Sequence, residues 1–416
     1  MRGPIALATL RTSLILGIRL AMQAGTLLLV ARLLGPERFG EFAGVAALAV
    51  VIGTLSSFGT NLVFLGEVSK EPGRRIHVLA YALPTTLLCG TLLLAVYLLF
   101  AGVYLSASGA SLMVLLAIGA AEILLQPLFA FLSNEHLAME RIARSQVVIS
   151  LPLVMRLLAA SLVFMVDAAD PLAAFSFGYL IASAIALSLA TATSSAPWPT
   201  LRDWRLPSRA ELHQSSGYAA LAFTACGPGE IDKTLAAVLL TPSSSGLYAA
   251  GTRVIGAVTL PVIAMLLSAL PRLFREGHTQ PRETTRLLRW ILVAALLYSA
   301  LITAVLWLAA SAFMGLFGPG YEGISQMIQW LCLAVPGMAL RIAAGSMLMA
   351  LGRPWMRAGF EIAGVIVLLV CSLMLTGRLG VTGMAVALAC AEWTMAALGL
   401  ALIASARMRA IRPRAA

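Results

Sequence analysis

ARLLGPERFGEFA, residues 31–43, ends one apolar helix, turns at Gly35-Pro36 and starts another. Further on, residues 237–249 read AVLLTPSSSGLYA. Shifted by 206 positions the two stretches superimpose. Ala31 falls on Ala237, Leu33 on Leu239, Leu34 on Leu240, Pro36 on Pro242, Gly40 on Gly246 and Ala43 on Ala249, and aromatic Phe42 falls on Tyr248. The offset is about half of the 416-residue chain. A hairpin repeated at equivalent points of two halves predicts a duplicated architecture rather than a chance recurrence of LLxPxxxG.

The composition says what the hairpins are made of. Sixty per cent of residues are hydrophobic, 11% are charged and the mean hydropathy is +0.93. Apolar runs longer than about 18 residues recur along the chain, the signature of bilayer-spanning helices. A β-barrel would instead alternate in segments of about ten residues. The five cysteines, Cys89, Cys226, Cys332, Cys371 and Cys390, lie in apolar runs without a CxxC pair, and read as buried thiols. The N-terminal run lacks a cleavage site and is interrupted by Arg19, so it reads as a first span and not a removed leader.

Polar and Gly/Pro punctuation gives twelve spans: 10–34, 38–66, 76–102, 110–133, 144–166, 171–193, 211–240, 244–271, 286–311, 323–351, 355–377 and 380–405. With the N-terminus placed in the cytoplasm, 21 of the 29 Lys and Arg fall in cytoplasmic segments and three, Arg32, Arg38 and Arg378, fall outside. Cytoplasmic loops are enriched in Lys and Arg, so this split predicts two cytoplasmic termini. It also accounts for most of the +11 net charge as solvated loop and tail residues, without nucleic acid. Segment 194–216, rich in Pro, Trp and Arg, is expected to lie along the membrane surface. The predicted organisation is an N-terminal six-helix bundle over 1–195, a cytoplasmic surface linker over 196–210 and a C-terminal six-helix bundle over 211–416. Six spans per half is an even number, so the halves have parallel topology, and transporters of that kind place substrate between their halves and alternate access.

Ionisable groups inside spans are costly and face a partner or a water-filled space. Five cations lie deep: Arg19, Arg156, Lys233, Arg253 and Arg341. Deep acids are Glu122, Glu230, Asp232 and Glu392, with Glu361 near the inner end of its span. Thr12, Arg19, Gln23 and Thr26 share one face of the first span, as Thr54, Ser57 and Asn61 do in the second, so Gln23 and Asn61 are candidates for a polar lining. Glu230 and Lys233 can pair along their helix, while Asp232 points elsewhere and can meet a cation from another helix. Arg156 is a candidate partner for Glu122. Arg19, Arg253 and Arg341 have no acid nearby on their own helices and read as functional. Several guanidinium groups suit a phosphate or another anion. Gly227, Pro228 and Gly229 weaken the seventh span and are a candidate hinge. The run from Gly227 to Thr234 mimics a phosphate loop but has Asp232 for its second glycine and lacks the strand–helix context, so nucleotide binding is rejected. Scattered histidines argue against a metal site, and no catalytic motif is present, so the chain is not expected to be an enzyme.

Taken together these stretches resemble Wzx-type polysaccharide flippases of the MOP (multidrug/oligosaccharidyl-lipid/polysaccharide) superfamily. ARLLGPERFGEFA resembles their first hairpin, EIDKTLAAVLLTPSSSGLYAAGTRV their span 7–8 hairpin, LFGPGYEGISQMIQWLCLAVPGMALRIAAGSMLMALGRP their span 9–11 region, and LGVTGMAVALACAEW the start of their last span. The resemblance implies a MATE-like fold of two bundles around a central cationic cavity. It implies a bacterial inner-membrane flippase that moves an undecaprenyl-diphosphate-linked oligosaccharide from the cytoplasmic to the periplasmic leaflet, with membrane lipids, a polysaccharide polymerase and chain-length proteins as partners. No cofactor is expected beyond a coupling proton or sodium ion, for which Glu230 and Asp232 are candidates. Three other readings stand beside it: a MATE-like drug exporter, against which the cationic excess argues; a membrane polymerase or ligase, which needs a large outer loop; and a scaffold, which leaves the buried charges unexplained.

Overall fold

The structure is a computed structural model that describes residues 4–104, 111–192, 194, 197–266, 281–350 and 353–411. Over 4–16, 104, 221, 224–228, 281–288, 350, 354 and 406–411 it describes the backbone alone. Among the described residues the regular structure is helical throughout. In chain order the helices are α1 (Pro4–Gly53), α2 (Thr60–Lys70), α3 (Arg75–Tyr104), α4 (Leu112–Gly119), a π turn (Ala120–Leu125), α5 (Gln126–Ala138), α6 (Ile142–Val166), α7 (Pro171–Ala192), α8 (Arg209–Leu239), α9 (Pro242–Val258), α10 (260–266), α11 (Pro281–Ala309), α12 (Ala312–Phe317), α13 (Ile324–Cys332), α14 (Val335–Ala350), α15 (Pro354–Leu379) and α16 (Val381–Ile411). The chain divides into two compact units, Met1–Cys226 and Gly227–Ala416.

Among the described residues nine helices are long and apolar enough to cross a membrane, ten if the bent pair α13–α14 is one span. Over their described residues the twelve expected segments are largely helical, but twelve separate spans are not established. One reason is at the opening hairpin: two helices meet at a kink where Gly35 (φ 68°, ψ 171°) leaves helical geometry ahead of Pro36, and the run Gly17–Gly53 enters the nine as one. The second expected span also breaks. It unwinds over Thr54–Gly59 and restarts as α2. The seventh, α8, carries too many charged and polar residues to count by composition.

The two hairpin copies turn at the same place, by different backbone conformations. Thr241, the residue aligned with Gly35, is extended (φ −64°, ψ 153°) and caps α9, its side chain accepting from Ser244 N, with Pro242 in the first turn. Both copies therefore turn one residue ahead of a proline whose fixed φ suits a helix start. The aligned aromatics are buried in their respective units: Phe42 packs edge-on against Phe175 (5.2 Å) and Tyr179 (5.9 Å), and Tyr248 lies in the core of the second unit.

Prolines shape the spans further. In the fourth span, Pro127 cannot donate to the carbonyl four residues back, and the preceding turn widens to π, with Gln126 N bonding Ala121 O. In the tenth, Pro336 leaves Cys332 O without its helical donor; the chain bends by 43° and Thr303 Oγ1 donates to that oxygen (3.1 Å). In α3, Pro84 leaves Ala80 O free, and Arg205 N, from the segment between α7 and α8, donates to it (3.0 Å). That segment is a strap tied to the first unit. Pro197 O accepts from Arg75 (2.8 Å). Trp198 and Trp204 pack on a core of Phe64, Val78, Leu79, Tyr81, Leu83 and Phe131. The Arg205 guanidinium lies 4.8 Å from the Tyr81 ring and grips both carboxylate oxygens of Glu211 (2.9 and 2.6 Å).

Large apolar side chains such as Met165 (80% exposed) and Leu308 (81%) point outward, as expected where the solvent is hydrocarbon. Within the first unit, Gly59 (φ 74°) fits its backbone against α8; a β-carbon there meets Ser215 O at 2.3 Å and Ala219 N at 2.5 Å. Gly59→Ala is therefore expected to destabilise the protein by about 1–3 kcal/mol. Gly66→Ala, where the added carbon meets nothing within 4 Å, is the comparison that should leave the melting temperature in detergent unchanged.

Candidate functional site

Each unit buries a cluster of charge. In the first, the π turn carries Glu122 into the core, where Oε1 accepts from Arg156 Nη2 (2.9 Å) and from the Tyr179 hydroxyl. Arg156 also donates through Nε and Nη2 to Ser183 Oγ (3.1 and 3.0 Å) and lies flat on the Tyr179 ring at 3.8 Å. Glu122, Arg156 and Ser183 are buried, so this network holds one acid against one base with its donors directed at acceptors. A second buried pair in the same unit, Arg75–Glu135 (3.0 Å), corrects the expectation that every loop arginine is solvated. Arg75 opens α3, and its folded environment comes from α5 and the strap, sixty and more residues away in sequence.

The second unit is different. Lys233 is buried, with its ammonium 3.0 Å from Glu230 Oε2, 3.8 Å from Asp232 Oδ1 and against Gly229 O. Tyr248, the aromatic of the second hairpin, donates to Asp232 Oδ2 (3.1 Å). Arg341 Nε donates to Glu392 Oε2 (2.6 Å). Arg357 Nε donates to Glu361 Oε1 (2.9 Å). Four acids, Glu230, Asp232, Glu361 and Glu392, thus face three bases, Lys233, Arg341 and Arg357. Two of their buried oxygens, Asp232 Oδ1 and Glu361 Oε2, have no hydrogen-bond donor among the described residues.

The structure sorts the five deep cations. Arg156, Lys233 and Arg341 are buried and met by carboxylates. Arg341, without an acid nearby on its own helix, is met from another: Glu392 lies 51 positions on, and Gly337 lets α14 approach α16 at Glu392, where a β-carbon meets backbone at 3.0 Å. Arg19 is half-buried, and among the described residues its partner is neutral, Gln146 Oε1 on α6 (3.3 Å). Arg253 is exposed midway along the 25-residue span Pro242–Leu266, and among the described residues no carboxylate pairs with it. Gln23 is half-buried. Asn61 serves local structure: its Oδ1 accepts from Ser57 Oγ (3.1 Å) and Leu62 N (2.9 Å) where α2 restarts. Gly227, Pro228 and Gly229 fall within the helical run of α8, at the point where the division into units occurs; the side chains of 224–228 lie outside the described residues, as does that of Thr12. Among the described residues no three metal-ligating side chains come together.

The sequence over residues 9–276 matches the family described as "Polysaccharide biosynthesis protein". No curated protein matches closely enough to count as a relative. Solved structures do. The lipid II flippase MurJ, in an inward closed conformation, is 12% identical with a TM-score of 0.75, over 94% of this chain and 87% of that one. An inward-facing multidrug resistance MATE family transporter of the MOP superfamily is 13% identical with a TM-score of 0.71, over 96% of each chain. A MOP superfamily transporter from Pyrococcus furiosus, whose binding pocket is said to be of reverse polarity, is 13% identical with a TM-score of 0.64, over 98% of this chain and 96% of that one. At these identities the likeness fixes the fold, all-α and MOP-like.

Removing one partner of a buried ion pair strands the other. Glu392→Gln is expected to cost about 3–5 kcal/mol, and the double replacement Arg341→Met with Glu392→Met to cost less than either single change. Thermal unfolding of the natural chain, Arg341→Met, Glu392→Met and the double variant checks this; additive losses would mean that the pair is not coupled.

Proposed function

The chain belongs to the polysaccharide biosynthesis protein family, and on that footing we propose that it is a flippase for an undecaprenyl-diphosphate-linked oligosaccharide. On this reading it sits in a bacterial inner membrane with both termini cytoplasmic and carries its cargo to the periplasmic leaflet by alternating access. A polymerase and chain-length proteins would then receive the product. The observation that carries the proposal is the state of Arg253 and Arg19. An arginine exposed at the middle of a span is held away from hydrocarbon, so it faces water or an anion. Among the described residues Arg253 has that place and no carboxylate, and Arg19 has an amide oxygen for its partner. Guanidinium groups whose charge is not met inside the protein are suited to a diphosphate, which each can grip in bidentate fashion. Lys233 and Arg341, already paired, are assigned a supporting part: they hold the frame from which Arg253 projects. Gly227 to Gly229, at the edge of the second unit, are the proposed bend for the change of access.

The surplus acid of the second unit supports ion coupling. A buried carboxylate with a vacant oxygen beside a cation can exchange its ionic partner for a proton or a sodium ion. Asp232, with Oδ1 unmet and Lys233 and Glu230 adjacent, is the proposed coupling residue.

In proteoliposomes loaded with a defined lipid-linked oligosaccharide, Arg19→Gln with Arg253→Gln is expected to slow translocation by about tenfold or more, each lost charge-assisted bond being worth about 1.5–3 kcal/mol. The melting temperature should be unchanged, because neither arginine holds a buried carboxylate. Normal translocation by the double variant would remove the basis of the proposal.

A further inference from the structure

We propose that the strap between α7 and α8 is a binding surface for anionic phospholipid, set at the headgroup level of the membrane. Its two tryptophans, Trp198 and Trp204, turn inward onto the core of the first unit. What lies between and just beyond them turns outward. Leu201 is 75% exposed and Leu206 is 72% exposed, although both sit on a segment otherwise tied down by Ala80, Pro197 and Tyr81. Two leucines held out from a short, ordered segment are costly in water.

The depth of the strap gives them a different solvent. The strap meets α3 at Ala80, two turns into the span Pro72–Val103. That span has 32 residues, about 48 Å of helix at 1.5 Å per residue, against a hydrocarbon core of about 30 Å. Its first turns therefore stand in the interfacial layer, and the strap stands with them. Apolar side chains at that depth enter the boundary between headgroups and acyl chains.

The charges of the strap select the headgroup. Its acids are both occupied within the protein. Asp203 Oδ2 accepts from Thr200 N (2.9 Å) and Thr200 Oγ1 (2.8 Å), closing the turn at Leu201–Asp203. Glu211 accepts from both guanidinium nitrogens of Arg205 and from Ser208 N (2.8 Å), which caps α8. Arg202 and Arg209 remain: both are exposed, and among the described residues neither has an acidic partner. Arg209 moreover stands in the first turn of α8, where the helix dipole repels a cation unless an anion is near. Two uncompensated arginines alternating with two outward leucines fit lipids with a negative headgroup, each such arginine adding about 1 kcal/mol of attraction to an anionic leaflet. On the proposed orientation this is the cytoplasmic leaflet. The inference needs only that the chain spans a membrane, so its failure leaves the flippase proposal standing.

Amide hydrogen exchange of the full chain in nanodiscs tests it. In discs containing phosphatidylglycerol, exchange over residues 199–212 should be several-fold slower than in discs of phosphatidylcholine alone. The double variant Arg202→Gln, Arg209→Gln should exchange alike in both lipids, and Leu201→Ser with Leu206→Ser should lose most of the protection. Exchange over 76–83 of α3 reports in every case that the first unit is folded. Equal exchange of the natural chain in the two lipids would overturn the proposal, and so would protection that survives loss of both arginines. Protection reproduced by free glycerol phosphate in phosphatidylcholine discs would also overturn it, by assigning the arginines to a soluble anion.

Discussion

A hydrocarbon interior offers no water to a charge or to a freed carbonyl, so each must be met by the protein. The architecture of both units follows from that constraint. Glu122 enters the core only with Arg156, Tyr179 and Ser183 around it. Glu392 enters with Arg341. Backbone groups obey the same rule. Prolines within spans remove donors, and at Pro127, Pro336 and Pro84 a π turn, a threonine hydroxyl and the backbone N–H of the strap answer the loss. The strap is thus fastened to the first unit by a gap that Pro84 opens in α3.

The constraint also gives meaning to its exceptions. Most buried charge in the first unit is balanced and saturated by neighbours. The buried cluster of the second unit sets four acids against three bases, two of their oxygens lack a hydrogen-bond donor among the described residues, and an arginine is exposed at mid-span. The two units carry matching hairpins, yet Phe42 in the first copy packs against the rings of Phe175 and Tyr179, while Tyr248 in the second donates to Asp232. The same position is apolar in one half and polar in the other.

Much of the architecture was legible in the sequence because it rests on local patterns. Apolar length located the helices, and the 206-residue echo located a turn that the structure shows in both copies. The spacing of Glu230 and Lys233 along one helix was enough to read their pairing. Glu122 with Arg156 was readable because the helices are consecutive. What escaped depends on packing between distant segments. Glu392 is 51 positions from Arg341, and nothing in the spacing connects them. Asn61 looked like a cavity residue because a polar face is the same signal as a cap; only the break at Gly59 shows that its side chain serves the restart of a helix. The count of spans blurred for a similar reason: a kink at Gly35 and an unwound turn at 54–59 obey backbone rules that hydropathy does not record.

Charge met inside each unit builds its frame, and the proposed hold on the cargo's diphosphate is charge left unmet, above all at Arg253 in mid-span of the second unit. The most direct measurement is affinity as a function of headgroup alone: a polyprenyl diphosphate, a polyprenyl monophosphate and the uncharged polyprenol of one chain length, each titrated onto the natural chain in detergent. The account predicts that affinity falls in that order, with the diphosphate at least about tenfold tighter than the alcohol, a difference of about 1.4 kcal/mol. Equal affinity for the three would show that the protein grips the lipid chain and not the charge, and would contradict the account.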